Sequence, residues 1–152
     1  MSTVLDPGVV TAELLEAASR GATRDELLDL AARHLREVGP PYTGVYLYML
    51  HGDVLRLEAR AGEATLHTEI PVGQGLCGRA IREARDLNVP DVAAEPEYLA
   101  CSLSTRSELI CLLRSNGRVI GQIDIDSDAP AGFPPEEEAA VRSVADALER
   151  LL

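Results

Sequence analysis

The sequence contains no lysine. Its 14 basic residues are all arginine, against 25 acidic ones, and the net charge is −11. A chain this acidic lacks the basic patches that neutralise phosphates, which excludes nucleic acid as an expected partner. The balance favours a small cationic or zwitterionic ligand. No apolar run approaches the ~18 residues of a membrane span. The start, Met1-Ser2-Thr3-Val4-Leu5-Asp6, has neither a basic segment nor a long apolar stretch. The expectation is a cytoplasmic protein with no signal peptide and no membrane contact. Cysteine is scarce: three residues, an odd number, point to free thiols in a reducing compartment rather than to a disulfide framework. Cys77, Cys101 and Cys111, with His34, His51 and His67 scattered, follow no zinc spacing, so no metal is expected.

What is present suffices for one domain. The 152 residues, 46% hydrophobic, can bury a core without staples. The pattern divides the chain into N-terminal helices over 1–39, a sheet with a pocket over 42–128, and a C-terminal helix over 135–152. Val9, Leu14, Leu15 and Ala18 recur at helical spacing until Gly21. Thr23-Arg24-Asp25-Glu26 is a capping box that opens a second helix, ended by Gly39-Pro40-Pro41. His34 reads as an imidazole at that helix's polar edge.

From Tyr42 the period becomes two. Tyr42, Gly44, Tyr46 and Tyr48 are expected on one face, with Val45, Leu47 and Met49 on the other. Val54–Ala61 and Thr65–Val72 read as two more strands, so an antiparallel meander is expected. Gly73-Gln74-Gly75-Leu76-Cys77-Gly78 fits GxGxxG, but a dinucleotide site needs a parallel βαβ unit. The meander before it, and Pro71, favour a tight strand-to-helix turn. Helix is expected from Arg79. A short strand near 88–92 and a long aperiodic loop over 93–105 follow, of a length that is often functional. The last helix opens at Pro135-Glu136-Glu137-Glu138. Its wide apolar wrap suits a sheet or a partner helix, and a homodimer is among the expectations.

Two strands, 106–113 and 118–126, form the last hairpin. A two-residue Asn116-Gly117 turn would mix acids and aliphatics on both faces. A three-residue loop, Ser115-Asn116-Gly117, pairs Arg114 with Arg118 and sorts them. Leu109, Cys111, Leu113, Val119, Ile123 and Ile125 then share one face. Glu108, Ile110, Leu112, Ile120, Gln122, Asp124 and Asp126 share the other, with Glu108 opposite Asp124. Cys111 is therefore expected to be a small buried hydrophobe. Three converging carboxylates repel unless a cation or a shared proton relieves them, so a covered acidic face suits an amine.

Ile70-Pro71-Val72-Gly73-x-Gly75-x-Cys77-Gly78, then Tyr98-Leu99-Ala100-Cys101, Ser107-Glu108 and Gly121-x-x-Asp124-Ile125-Asp126-Ser127 together resemble the free methionine-(R)-sulfoxide reductases, single-domain GAF proteins. The resemblance covers Tyr42 to the C-terminus. It implies an α+β fold, a GAF-like domain with a central antiparallel β-sheet and helices packed on it. It implies that Cys101 is the nucleophile and that Glu108, Asp124 and Asp126 hold the substrate's amino group and assist the chemistry. Tyr42, Tyr46 and Leu99 would line the sulfoxide side chain, with Tyr42 where the family usually has Trp. The family's usual resolving cysteine is replaced by His67. Cys77 would take over that role, helped by the dipole of a helix N-terminus, or an external thiol would reduce the enzyme, or activity would be lost and the pocket kept. The implied substrate is free methionine sulfoxide. The implied reductant is a thioredoxin-type or small thiol, with no bound cofactor. A non-catalytic module binding an amino-acid-like ligand and a structural dimerisation module are the alternatives.

Overall fold

The computed structural model describes residues 3–99 and 103–152. Helices α1 (Pro7–Ser19) and α2 (Arg24–Glu37) lead into strands β1 (Gly44–His51), β2 (Val54–Ala61) and β3 (Glu69–Pro71). Helix α3 (Gly75–Glu83) and strand β4 (Leu87–Val89) come next, then a 3-10 turn at Val92–Ala94. Strands β5 (Ser107–Ser115) and β6 (Arg118–Ser127) and helix α4 (Pro135–Leu151) complete the order. The helix starts follow their caps. The Asp6 carboxylate accepts from the amides of Gly8 and Val9 ahead of Pro7, and the Thr23 hydroxyl accepts from the Glu26 amide.

The strands form one sheet in the order β3-β2-β1-β6-β5-β4, with every described neighbour pair antiparallel. No parallel pair precedes α3, so the glycine run is a strand-to-helix turn and not a dinucleotide fingerprint. The meander is confirmed, but β3 is three residues long rather than eight. Residues 62–68 are held by a backbone bond, from the Leu57 amide to the Thr68 carbonyl at 2.8 Å, and by side chains: the Tyr46 hydroxyl donates to the Glu63 carbonyl at 2.7 Å and the Tyr48 hydroxyl to the His67 carbonyl at 2.7 Å.

Each face of the sheet carries its own core. Leu27, Leu28, Ala31, Ala32 and Leu35 of α2, with residues of α1 and α4, pack on Val45, Leu47, Leu109, Cys111, Leu113, Ile123 and Ile125. Full burial of one such leucine contributes about 1.5–3 kcal/mol. On the opposite face Leu76, Cys77 and Ala80 of α3 pack with Tyr46, Tyr48, Ile110 and Leu112. This second face holds the acids.

The β5–β6 hairpin departs from its expected pairing. Asn116 (φ 53°) and Gly117 (φ 79°) are both left-handed, the signature of a two-residue turn, and Ser115 pairs with Arg118. The register then shifts: Arg114 pairs with Val119 but Leu113 with Gly121, which leaves Ile120 as a bulge. The extra residue restores the sorting of Leu109–Leu113 and Gln122–Asp126 that the expected three-residue loop would give. It moves the pairing by two, so Glu108 lies opposite Asp126 and Ile110 opposite Asp124. It also exchanges the ends of the hairpin. Ile120 packs on the helix side and Val119 on the pocket side, the reverse of the expectation.

Candidate functional site

The register of β6 against both its neighbours builds the floor of the site. Asp124 pairs with Tyr46 of β1 and Asp126 with Gly44, while Glu108 stands across from Asp126 on β5. Glu108, Asp124 and Asp126 are 4%, 2% and 6% exposed, so this is an interior acid cluster and not a solvated sheet face.

Helix α3 forms the lid. It begins at Gly75, four residues earlier than expected, and places Cys77 in its first turn. The approach is close. Gly75 has φ +68°, and a Cβ there would lie 3.2 Å from Leu99 Cβ; a Cβ on Gly78 would lie 2.6 Å from the Val72 carbonyl oxygen. Only glycine fits both demands. The Gln122 side-chain amide donates to the Cys77 carbonyl at 3.1 Å, and the Cys77 thiol donates to Asp124 Oδ2 at 3.3 Å. Asp124 also shares a hydrogen bond with Glu108. Its other oxygen, Oδ1, is buried with no partner among the described residues.

These surroundings decide the protonation states. Burial pushes the Asp124 carboxyl above its usual range, against hydrogen bonds from Glu108 and Cys77 that pull it down. Burial, then the charges of Asp124 and Glu63, hold Asp126 well above it. Burial, then the charges of Asp124 and Glu108, hold the Cys77 thiol well above its ordinary value. The expectation that the helix dipole would make Cys77 a ready thiolate is therefore wrong. A dipole contributes about 0.3–1 kcal/mol, and burial among carboxylates outweighs it.

Two small cavities flank the acids. One is lined by Ile70, Gly75, Leu76, Cys77, Leu99, Glu108 and Asp124, the other by Thr43, Gly44, Tyr46, Glu63, Ser104, Thr105 and Asp126. Each offers about 10 Å³, room for a single water. Open grooves near 500 Å³ lie elsewhere, by α1–α2 and beside Arg36 and Asp128. Cys77 and the three buried acids line neither of them.

Of the expected site residues, the structure brings together Cys77, Glu108, Asp124, Asp126, Tyr46 and Leu99. Cys101 lies outside the described residues. Tyr42 does not join them. It precedes β1, so the alternation of the strand does not govern it, and its side chain is buried in the helix-side core. There its hydroxyl donates to Glu137 Oε2 at 2.5 Å and its ring stacks edge-on against Phe133. Cys111 is fully buried in the same core, paired across from Ile123 as a hydrophobe. Sequence reasoning missed Glu63, whose charge reaches Asp126 from the turn after β2. Nothing in the local pattern marks it. Gln122 lies on the face that the pattern predicts, and a polar side chain beside the aliphatics of that face is the signal for its holding role.

A sequence profile of the GAF domain matches residues 23–152. The free methionine-R-sulfoxide reductase of Escherichia coli (strain K12) is 32% identical over 105 residues, which is 69% of this chain and 63% of that protein. The chain spans between half and two thirds of the length of the first curated relatives it matches. Among solved structures, the type II free methionine-R-sulfoxide reductase of Thermoplasma acidophilum is 42% identical with a TM-score of 0.81, over 84% of this chain and 91% of that one. The Neisseria meningitidis free methionine-R-sulfoxide reductase in complex with its substrate is 29% identical with a TM-score of 0.89, over 99% and 90%.

Proposed function

The chain belongs to the GAF domain family and to its free methionine-R-sulfoxide reductase group, and we propose that it reduces free methionine (R)-sulfoxide to methionine at the expense of an external thiol. The observation that carries this reading is the buried acid cluster, in which Asp124 Oδ1 has no hydrogen-bond partner among the described residues. Buried like charges are costly unless a cation joins them, and the α-ammonium of a free amino acid is such a cation. Glu108, Asp124 and Asp126 hold it, with Tyr46 and Leu99 beside the sulfoxide side chain. The small cavities mean that the covering segments open to admit substrate.

The chemistry needs few parts. The Cys101 thiolate attacks the sulfoxide sulfur while a carboxylic acid protonates the oxygen. Asp126, whose carboxyl is held well above its usual range by burial and then by Asp124, is the best donor. The sulfoxide is reduced to the thioether, and Cys101 is oxidised to a sulfenic acid. One external thiol condenses with it, releasing water, and a second frees Cys101 as the mixed disulfide breaks. His67 has no sulfur, and Cys77 sits as a buried thiol donating to Asp124, so resolution by a thioredoxin-type or small thiol is favoured over an internal disulfide.

The test is to incubate the protein with free methionine sulfoxide and dithiothreitol and to follow methionine. Turnover separates this reading from ligand binding without chemistry. Cys101→Ser should abolish it. N-acetylmethionine sulfoxide, which lacks the ammonium, should react at least about a hundredfold more slowly. Full activity in the Cys101 variant, or equal rates on the two substrates, refutes the assignment.

A further inference from the structure

We propose that Cys77, Glu108 and Asp124 form a three-ligand site for one divalent metal ion of borderline character, the class of Zn²⁺. The three side chains come from α3, β5 and β6, too far apart in sequence for any zinc spacing to show. The fold brings one donor atom from each to within 4.8 Å of the others. Cys77 Sγ and Asp124 Oδ2 are already 3.3 Å apart. Tetrahedral zinc, with bonds of about 2.0 Å to oxygen and 2.3 Å to sulfur, sets its ligand atoms roughly 3.3–3.5 Å from one another. Coordination requires side-chain movement that brings the remaining separations, which lie within 4.8 Å, into that range. The second observation is Asp124 Oδ1, buried and without a hydrogen-bond partner among the described residues, in a residue 2% exposed that lines the same cavity as Cys77 and Glu108. That cavity, about 10 Å³, has room for one water as the fourth ligand.

The donor set selects the ion. Calcium takes six to eight oxygens, and magnesium takes near-octahedral oxygen and keeps its waters. One sulfur and two carboxylates in a closed site fit a four-coordinate thiophilic ion. On binding, the Cys77 proton passes to solvent, with any proton shared by Glu108 and Asp124, and no electron is transferred. Metal coordination does not require the reductase reading. If that reading holds, metal and substrate ammonium compete for Asp124.

Cobalt(II) tests the proposal, as the metal alone added to the full chain after its reductant is removed. The wild type should bind one Co²⁺ per chain with a thiolate-to-cobalt charge-transfer band and visible bands of tetrahedral intensity, and one equivalent of Zn²⁺ should bleach both. A Cys101→Ser, Cys111→Ser double variant, with Cys77 as its one thiol, should keep the charge-transfer band. Cys77→Ser should lose it. Asp124→Asn and Glu108→Gln should weaken binding by at least the roughly ten- to hundredfold that outer-shell changes cost. A wild type without the band overturns the proposal. So does a band lost in the double variant, a band kept in Cys77→Ser, or unchanged affinity in both carboxylate variants. The wild-type and double-variant spectra decide even where a pocket variant fails to fold.

Discussion

Asp126→Asn should make the protein more stable and less able to bind its ligand. Asp126 is 6% exposed, stands across from Glu108, and lies two positions from Asp124 on the same strand face. Glu63 faces it from the turn after β2, and Cys77 lies beyond Asp124 on α3. Its folded pKa is raised, first by burial and then by Asp124 and Glu63. The sign follows. A carboxyl whose pKa is higher folded than unfolded adds stability below the unfolded value, near ~3.9, and loses it as pH rises through the folded value. At pH 8 the native state therefore carries the cost of a buried carboxyl that must either keep its proton or hold a poorly solvated charge, of the order of 1–3 kcal/mol. Asparagine removes the ionisable group at similar volume. For a domain of this size each kcal/mol moves Tm by about 2–4 °C, so the variant should melt roughly 2–12 °C higher at pH 8. The gap should close towards pH 4–5. With no tryptophan in the chain, far-UV circular dichroism is the natural probe. Free methionine sulfoxide at a hundredfold over its Kd should stabilise the wild type by about 2.7 kcal/mol, and the variant by much less. An equal or lower Tm at pH 8, or a gap that does not depend on pH, would refute the electrostatic account. A full ligand shift in the variant would remove Asp126 from the binding site.

Cys111→Ser replaces a fully buried thiol of the helix-side core, packed among aliphatics with Asp86 as a polar neighbour, and should cost up to about 1–3 kcal/mol by chemical denaturation. Methionine sulfoxide reduction per folded molecule should be unchanged, and a folded but inactive variant would show that Cys111 acts in the chemistry. Gly121→Ala should destabilise by about 1–3 kcal/mol, because a Cβ there meets the Tyr48 carbonyl oxygen and Met49 Sδ, each at 2.5 Å. An unchanged Tm would mean that β1 and β6 part more easily than their pairing implies.

The helices were open to reading from the sequence because their signals are local. Thr23 and Pro135 mark starts through a cap and ring geometry, which no distant contact alters, whereas α1 starts at Pro7 behind the Asp6 cap, two residues before the Val9 that the apolar spacing predicts. The glycine turn misled on the start of α3. Gly75 and Gly78 are poor helix formers, so helix was expected only from Arg79, yet the tight approach to Val72 and Leu99 requires them in the first turn. The third strand was overestimated for a related reason. Residues 65–68 have strand composition, but tyrosine hydroxyls from β1 take the carbonyls of Glu63 and His67. A sequence window does not contain the partner that wins.

The acid site shows where a hydrophobic pattern stops informing. Side chains alternate with period two, so pattern fixes a strand's face but is blind to any even shift in pairing. The pattern therefore predicts one shared face for Glu108, Asp124 and Asp126, as the structure has it, while the partner of Glu108 is Asp126 and not the expected Asp124. What decides the pairing is turn chemistry plus a bulge. Asn116-Gly117 adopts the two-residue turn its residues favour, and Ile120 absorbs the resulting conflict. The misjudgement of Cys77 is the electrostatic counterpart. A helix N-terminus is visible in the sequence and small in energy. The carboxylates that oppose it come from β5 and β6, outside any local window, and they dominate. A thiol at a helix start is thus a thiolate or a buried donor according to what the rest of the fold sets against it. Here, among the described residues, the fold sets the carboxylates of Asp124, Glu108 and Asp126 against it, which leaves the site short of positive charge until a ligand brings it.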